Sequence, residues 1–202
     1  MPQQELIAFL IFAIVAAVTP GPSNVLVMAA GARAGFRGGL PCLAGVVTGM
    51  AALMSAATFG LGGFVKAYPT SLVILKWGGS LFLLWLAWKV ASAPAIRPLN
   101  GATARTEPVG FRAALIFQWV NPKSWVVSVS AAAAYSGSGD LGMLERALLL
   151  GGLFAVAAVP SGAVWLAFGA SMQRWLTNER RSQVFNMGMG IALVGSVWFV
   201  LR

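Results

Sequence analysis

GFRAALIFQWVNPKSWVVSVSAAAAY, Gly110 to Tyr135, is an apolar stretch of membrane-spanning length with Asn121-Pro122-Lys123 in its middle. An amide, a proline and a charge are what a hydrocarbon-facing helix should exclude. Proline removes a backbone hydrogen bond and clashes with the preceding turn. In hydrocarbon each freed backbone group costs several kcal/mol unless protein or cavity water satisfies it. A second apolar run, near the start of the chain, carries Thr19-Pro20-Gly21-Pro22. How these two interruptions are read decides the fold.

The composition places them in a membrane. Of 202 residues 58% are hydrophobic and only 9% charged, against roughly 25% charged in soluble domains. The net charge of +9 does not indicate nucleic acid, because the basic residues stand singly between apolar runs. One cysteine, Cys42, rules out an intrachain disulfide or a Cys-x-x-Cys pair. With no histidine and five acidic residues there is little from which to build a metal site, and no cofactor is expected. The same shortage, with no Ser–His arrangement, argues against a hydrolytic enzyme. The opening residues, Met1 to Pro20, lack a positive n-region, so they are expected to be a retained first span and not a signal peptide.

A crossing helix needs about 20 mostly apolar residues. Six segments qualify: Glu5–Ala30, Gly38–Gly62, Pro69–Val90, Gly110–Tyr135, Leu144–Phe168 and Gln183–Leu201. The expected fold is therefore all-α, a polytopic membrane protein with six transmembrane helices. The longest polar connection, Ala91 to Val109, reads as a loop with Pro94, Pro98 and Pro108. It divides a single transporter domain, 1–202, into repeats of about 1–90 and 110–202. KWGGSLFLLWLAW (Lys76–Trp88) resembles NMGMGIALVGSVW (Asn186–Trp198), and the interruptions fall in the first span of each half. Three spans per half force the repeats into inverted orientations, a common transporter design with the site where broken first and fourth helices meet.

Orientation follows from the basic residues. Arg33, Arg37, Lys89, Arg97, Arg105, Arg112, Arg174, Arg180 and Arg181 lie on the side of the first, third and fifth connections. Lys66, Arg146 and Arg202 lie opposite. The richer side is expected to be cytoplasmic, with both termini outside.

Pro22 and Pro122 both suit the first position of a new helix, and Asn121 is a strong N-cap. Each break thus points to a helix N-terminus at mid-membrane depth, where free N–H groups and the helix dipole attract anions. Asn24 and Gln118 flank the breaks and can bond a substrate. Lys123 adds a full charge, and no span interior offers it a carboxylate: Glu5, Glu107, Asp140, Glu145 and Glu179 all lie at ends or in connections. The expected partner is a substrate carboxylate. Alone, either motif could be a kink with a snorkelling lysine; two in matching places point to a site. Gly45 and Gly49 form Gly-x-x-x-Gly, a helix-packing signal. Thr48, Ser128, Ser130, Ser161 and Ser171 are expected to bond back to their own helices. Most tryptophans read as interfacial or packing residues, with Trp119 and Trp125 closest to the break.

Thr19-Pro20-Gly21-Pro22, Gly31, Gly35 to Leu40, Gly45-x-x-x-Gly49, Lys76-Trp77-Gly78-Gly79 and Asn121-Pro122-Lys123 together resemble the LysE/RhtB superfamily of amino-acid exporters across nearly the whole chain. That resemblance implies efflux of amino acids or close derivatives from the cytoplasm across the bilayer of a bacterial inner membrane, usually proton-driven and often as a homodimer. It places Pro20, Gly21, Pro22, Asn121, Pro122 and Lys123 around the central site. Trp125 to Tyr135, WVVSVSAAAAY, lacks the Pro-Gln-Phe-like ending of many relatives. Without interior carboxylates the small-molecule substrate is expected to be a neutral amino acid. A solute channel built on paired half-helices is the alternative.

Overall fold

The computed structural model describes residues 1–93, 109–135, 141–173, 175, 176 and 178–201. The described residues are helical throughout: α1 (Gln3–Val18), α2 (Pro22–Ala56), a π turn (Ala57–Leu61), α3 (Gly62–Ala67), α4 (Pro69–Ala91), α5 (Phe111–Val120), α6 (Pro122–Tyr135), α7 (Met143–Met172) and α8 (Glu179–Leu201). Most of the Ala91–Val109 loop lies outside the described residues, as do Asp140, Arg97, Arg105, Glu107, Arg174 and Arg202.

Both interruptions break their helices. α1 stops at Val18 and α2 starts at Pro22; α5 stops at Val120 and α6 starts at Pro122. The proline is the first helical residue in each case, where its missing N–H costs nothing.

The expected connection between the first two spans takes another form. α2 is two helical arms joined at Gly35, whose φ of 72 and ψ of 179 are a conformation open to glycine. The chain folds back there into two antiparallel arms, residues 22–34 and 36–56. In a straight helix residues 26 and 42 would be about 24 Å apart. Here the Cys42 thiol lies 4.0 Å from the Leu26 carbonyl, and a methyl group on Gly39 would sit 3.3 Å from the Gly31 backbone nitrogen. The corner is a glycine hinge point and not a loop. The second arm then ends in the π turn, where Gly60 (φ 149) redirects the chain, and the short α3 follows where no helix was expected.

α2 and α7 form the largest interface. α5 packs on α2, α1 packs on α7, and α4 and α8 pair mainly with each other. The close approaches are reciprocal. Gly31 faces the Leu166 carbonyl of α7, and Gly169 of α7 faces the Met28 carbonyl, both nearer than a side chain allows. Gly45 and Gly49 face α5, against the carbonyls of Phe111 and Leu115.

The distribution of polarity is inverted relative to a water-soluble domain. Outward positions carry Ile74, Trp88, Val156 and Ile191, at 66–69% exposure. Asn24, Gln118, Asn121, Ser124 and Asn186 are buried. An apolar exterior over a polar interior is stable only where the surroundings are themselves apolar. Among the described residues two helical stretches pass for length and apolarity as membrane-crossing, Pro22–Leu61 and Met143–Met172; α1 and α5 are shorter apolar helices, each cut by its break.

Gly169→Ala should lower the thermal stability of the detergent-purified protein, by about 1–3 kcal/mol for an overpacked contact. Gly152, on the same helix with open space around it, should tolerate alanine and gain slightly in stability from helix propensity. Equal effects at the two positions would refute the packing role of Gly169.

Candidate functional site

A helix end leaves carbonyls without intrahelical partners. At the end of α1 these groups find three side chains. Asn24 donates its amide to the Ala17 and Thr19 carbonyls, at 3.1 and 3.0 Å. Ser161 of α7 donates to the Ala17 carbonyl at 2.9 Å. The Lys123 ammonium donates to the Thr19 carbonyl at 2.5 Å. The sequence left Lys123 without an internal partner; the structure corrects this, since the negative end of α1 supplies one. A helix C-terminus holds roughly half a negative charge and so meets a cation favourably.

The second break is capped from within. The Asn121 side chain accepts the Lys123 backbone N–H at 3.1 Å, and the Asn121 carbonyl accepts that of Ser124 at 3.0 Å. The Trp125 indole donates to the Trp119 carbonyl at 2.7 Å, bridging the break. The two tryptophans meet edge to face.

The breaks are also bonded to each other. Gln118 in the last turn of α5 donates to the Ala114 carbonyl and accepts two hydroxyls, Ser23 and Ser124, each at 2.9 Å. Ser23 in turn accepts the Asn121 amide at 3.0 Å. Ser23 and Lys123 stand at the same place in their half-helices, one residue after the starting proline. Each reaches across to the end of the other break.

The two helix starts are not equivalent. Asn121 caps α6, whereas Gly21 gives α2 no side-chain cap. The N-terminus of α2 is therefore the more anion-attracting end. Beside it lies a cavity of ≈ 50 Å³ whose polar lining is Ser23, Asn24, Asn121, Lys123 and Ser124 and whose apolar wall includes Val27, Met50 and Phe154. Among the described residues no carboxylate lines it.

Of the residues singled out in the sequence, Gly21, Asn24, Asn121 and Lys123 line the cavity. Pro20 is exposed at the break. Pro22, Pro122 and Gln118 are buried outside the cavity lining and act on it by shaping the backbone and holding Ser23 and Ser124. Ser23, Ser124 and Ser161 were missed as a group. Ser161 bonds across to α1 and not to its own helix as expected, and Ser128 is buried with no hydrogen-bond partner among the described residues. Ser171 does bond back, to the Phe168 carbonyl. The available signal was position: a serine one or two residues after each starting proline, and Ser161 directly after Pro160 in a long apolar helix.

The LysE type translocator family pattern matches residues 14–201. A cysteine/O-acetylserine efflux protein of Salmonella choleraesuis (strain SC-B67) is 33% identical over 135 residues, 67% of each chain. One from Klebsiella pneumoniae subsp. pneumoniae is 36% identical over 131 residues, 63% of each. One from Escherichia coli O1:K1 / APEC is 30% identical over 131 residues, 63% of this chain and 64% of that one. No solved structure matches the chain. An apolar helical shell around a polar, cavity-lining junction is consistent with a membrane translocator. The chain belongs to the LysE-type translocator family.

Gln118→Leu should leave the Ser23 and Ser124 hydroxyls without their shared acceptor, costing about 1–3 kcal/mol per unsatisfied buried group. Introduced into a Ser124→Ala background, the same change should cost measurably less. Additive losses in thermal unfolding of the three variants would contradict the shared-acceptor arrangement.

Proposed function

We propose that the protein exports small neutral amino acids of the cysteine and O-acetylserine type from the cytoplasm by alternating access. The observation that carries this reading is the junction itself. The uncapped α2 N-terminus, the Lys123 ammonium and the acceptor carbonyls of Ala17 and Thr19 meet beside the cavity, with Nζ on the Thr19 carbonyl. A zwitterion needs both polarities within a few ångströms. Its carboxylate bonds Lys123 and the first N–H groups of α2; its ammonium bonds the α1 carbonyls. A cavity wall without Asp or Glu disfavours substrates with an extra positive charge, and the small apolar wall suits a short side chain ending in a thiol or an acetyl group. The names of the similar efflux proteins from Salmonella and Klebsiella point the same way.

The architecture that goes with this function is six spans in two inverted repeats, about 1–90 and 110–202, with both termini outside. It is supported by the reciprocal reach of Ser23 and Lys123, which hold the same place in the two half-helices. Rocking one repeat against the other would expose the junction to each side in turn. The first, third and fifth connections then face the cytoplasm. A phosphatase domain fused after Arg202 should be active in the periplasm, whereas activity only from fusions at the Gly35 corner would reverse the orientation.

Transport itself is measured in proteoliposomes loaded with labelled L-cysteine or O-acetyl-L-serine. Flux should saturate and discriminate L from D forms. A linear, unselective flux would mark a channel. Lys123→Ala should reduce the rate about ten- to a hundredfold, the worth of one charge-assisted hydrogen bond. Full activity in both Lys123→Ala and Lys123→Arg would remove the counter-charge role.

A further inference from the structure

Gly21 raises a question that backbone geometry does not answer. Its φ of −174 and ψ of 179 are plain extended values that any residue adopts. Its glycine is required by what lies against it. A methyl group there would meet the Lys123 side chain, at 2.8 Å from Cδ and 3.0 Å from Nζ. The lysine stem lies flat across the Gly21 backbone, and its ammonium ends on the Thr19 carbonyl. The contact joins residues 104 positions apart and ties the second half-helix start to the first half-helix end.

We propose that Lys123, seated across Gly21, is a latch between the two broken helices that mimics the ammonium group of the substrate and is exchanged for it. This rests on the junction being the transport site, as proposed above. Binding then proceeds by substitution. The incoming carboxylate draws Nζ away from Thr19, and the incoming ammonium takes the carbonyl that Nζ has left. The Thr19 carbonyl keeps a cationic donor throughout the exchange, beside the Asn24 amide that also bonds it. A ligand with only a carboxylate releases the latch but leaves the Thr19 carbonyl with the neutral Asn24 amide alone. A ligand with only an amine has nothing with which to draw Lys123 off. The latch thus makes both charges of the substrate a condition of entry. It also makes Gly21 a positioning residue, selected for the room it leaves above it.

Gly21→Ala tests this directly. The atoms the new methyl group meets belong to the end of a flexible side chain, so the variant relieves the clash by moving Lys123 and keeps its fold. In proteoliposomes without added amino acid, an amine-reactive reagent followed by mass spectrometry should label Lys123 at least about five times faster in Gly21→Ala than in wild type, the factor that goes with one lost hydrogen bond. Lys89, exposed beside Trp85, serves as the unchanged control. Equal labelling of Lys123 in the two proteins overturns the latch. Competition against labelled L-cysteine gives a second readout. In wild type, 3-mercaptopropionate and cysteamine together should inhibit more strongly than their separate effects combine to predict. In Gly21→Ala the acid alone should inhibit about five times better, because Lys123 is already released. Independent inhibition by the two half-ligands in wild type overturns the exchange. If no amino acid is carried at all, the transport reading fails, and the labelling comparison still judges the latch by itself.

Discussion

Everything in this fold depends on satisfying backbone groups that two broken helices leave inside an apolar shell. Each break exposes the carbonyls of one half-helix and the N–H groups of the next. In water they would be hydrated at no cost. Here they are bonded by Asn24, Ser161, Lys123, Asn121 and Trp125. The second break is satisfied locally by Asn121 and Trp125, whereas the first draws Ser161 and Lys123 from the other half of the sequence and is satisfied only when the bundle assembles. The Gln118 carbonyl oxygen, shared by Ser23 and Ser124, is the point where the two breaks become one structure.

That junction can form only if the helices come close together. Gly31 and Gly169 bring α2 and α7 into backbone contact, and Gly45 and Gly49 do the same for α2 and α5. With side chains at these positions the helix axes would move apart, and the hydrogen bonds of 2.9 and 3.0 Å that join Ser23 to Gln118 and Asn121 could not be kept. The glycines serve the polar centre at one remove. The Gly35 corner has the same function by different means. It turns α2 back on itself tightly enough that both of its arms contribute to the cavity wall, through Val27 on one and Met50 on the other.

Helical class, the two breaks and the helix-starting prolines were legible in the sequence, because proline and asparagine act locally and their effects are strong. The third, fifth and sixth expected spans lie within α4, α7 and α8, with ends that differ by at most four residues. The first connection was not legible. Glycine permits many conformations, and nothing local distinguishes a flexible link from a sharp helical corner at Gly35. The site was legible by half. Asn121 and Lys123 announce themselves by being costly in an apolar run. Ser23, Ser124 and Ser161 are cheap there, since a hydroxyl can always return to its own helix. Only the packed arrangement shows that Ser23 and Ser161 reach across to another helix, and that Ser124 reaches back over the break. The charge of Lys123 was misjudged for a related reason: a search for carboxylate partners overlooks carbonyls, which no residue letter encodes.

The carbonyl partner changes what the lysine means. A lysine awaiting an anion would be an uncompensated charge in an apolar shell, costing about 2.5–3.5 kcal/mol on insertion scales. A lysine bonded to a helix C-terminus has most of that cost offset, and leaves its partner only when something equivalent replaces it. The broken helix supplies both halves of that exchange. Its ending carbonyls are acceptors for an ammonium, and its restarting N–H groups, uncapped at Gly21, are donors for a carboxylate. A backbone discontinuity is therefore matched to a zwitterion in a way that no single charged side chain is. In the exchange proposed above, with Lys123 seated in the same place by the room above Gly21, binding selectivity is set by the break itself, and the apolar wall around it is left to choose among side chains.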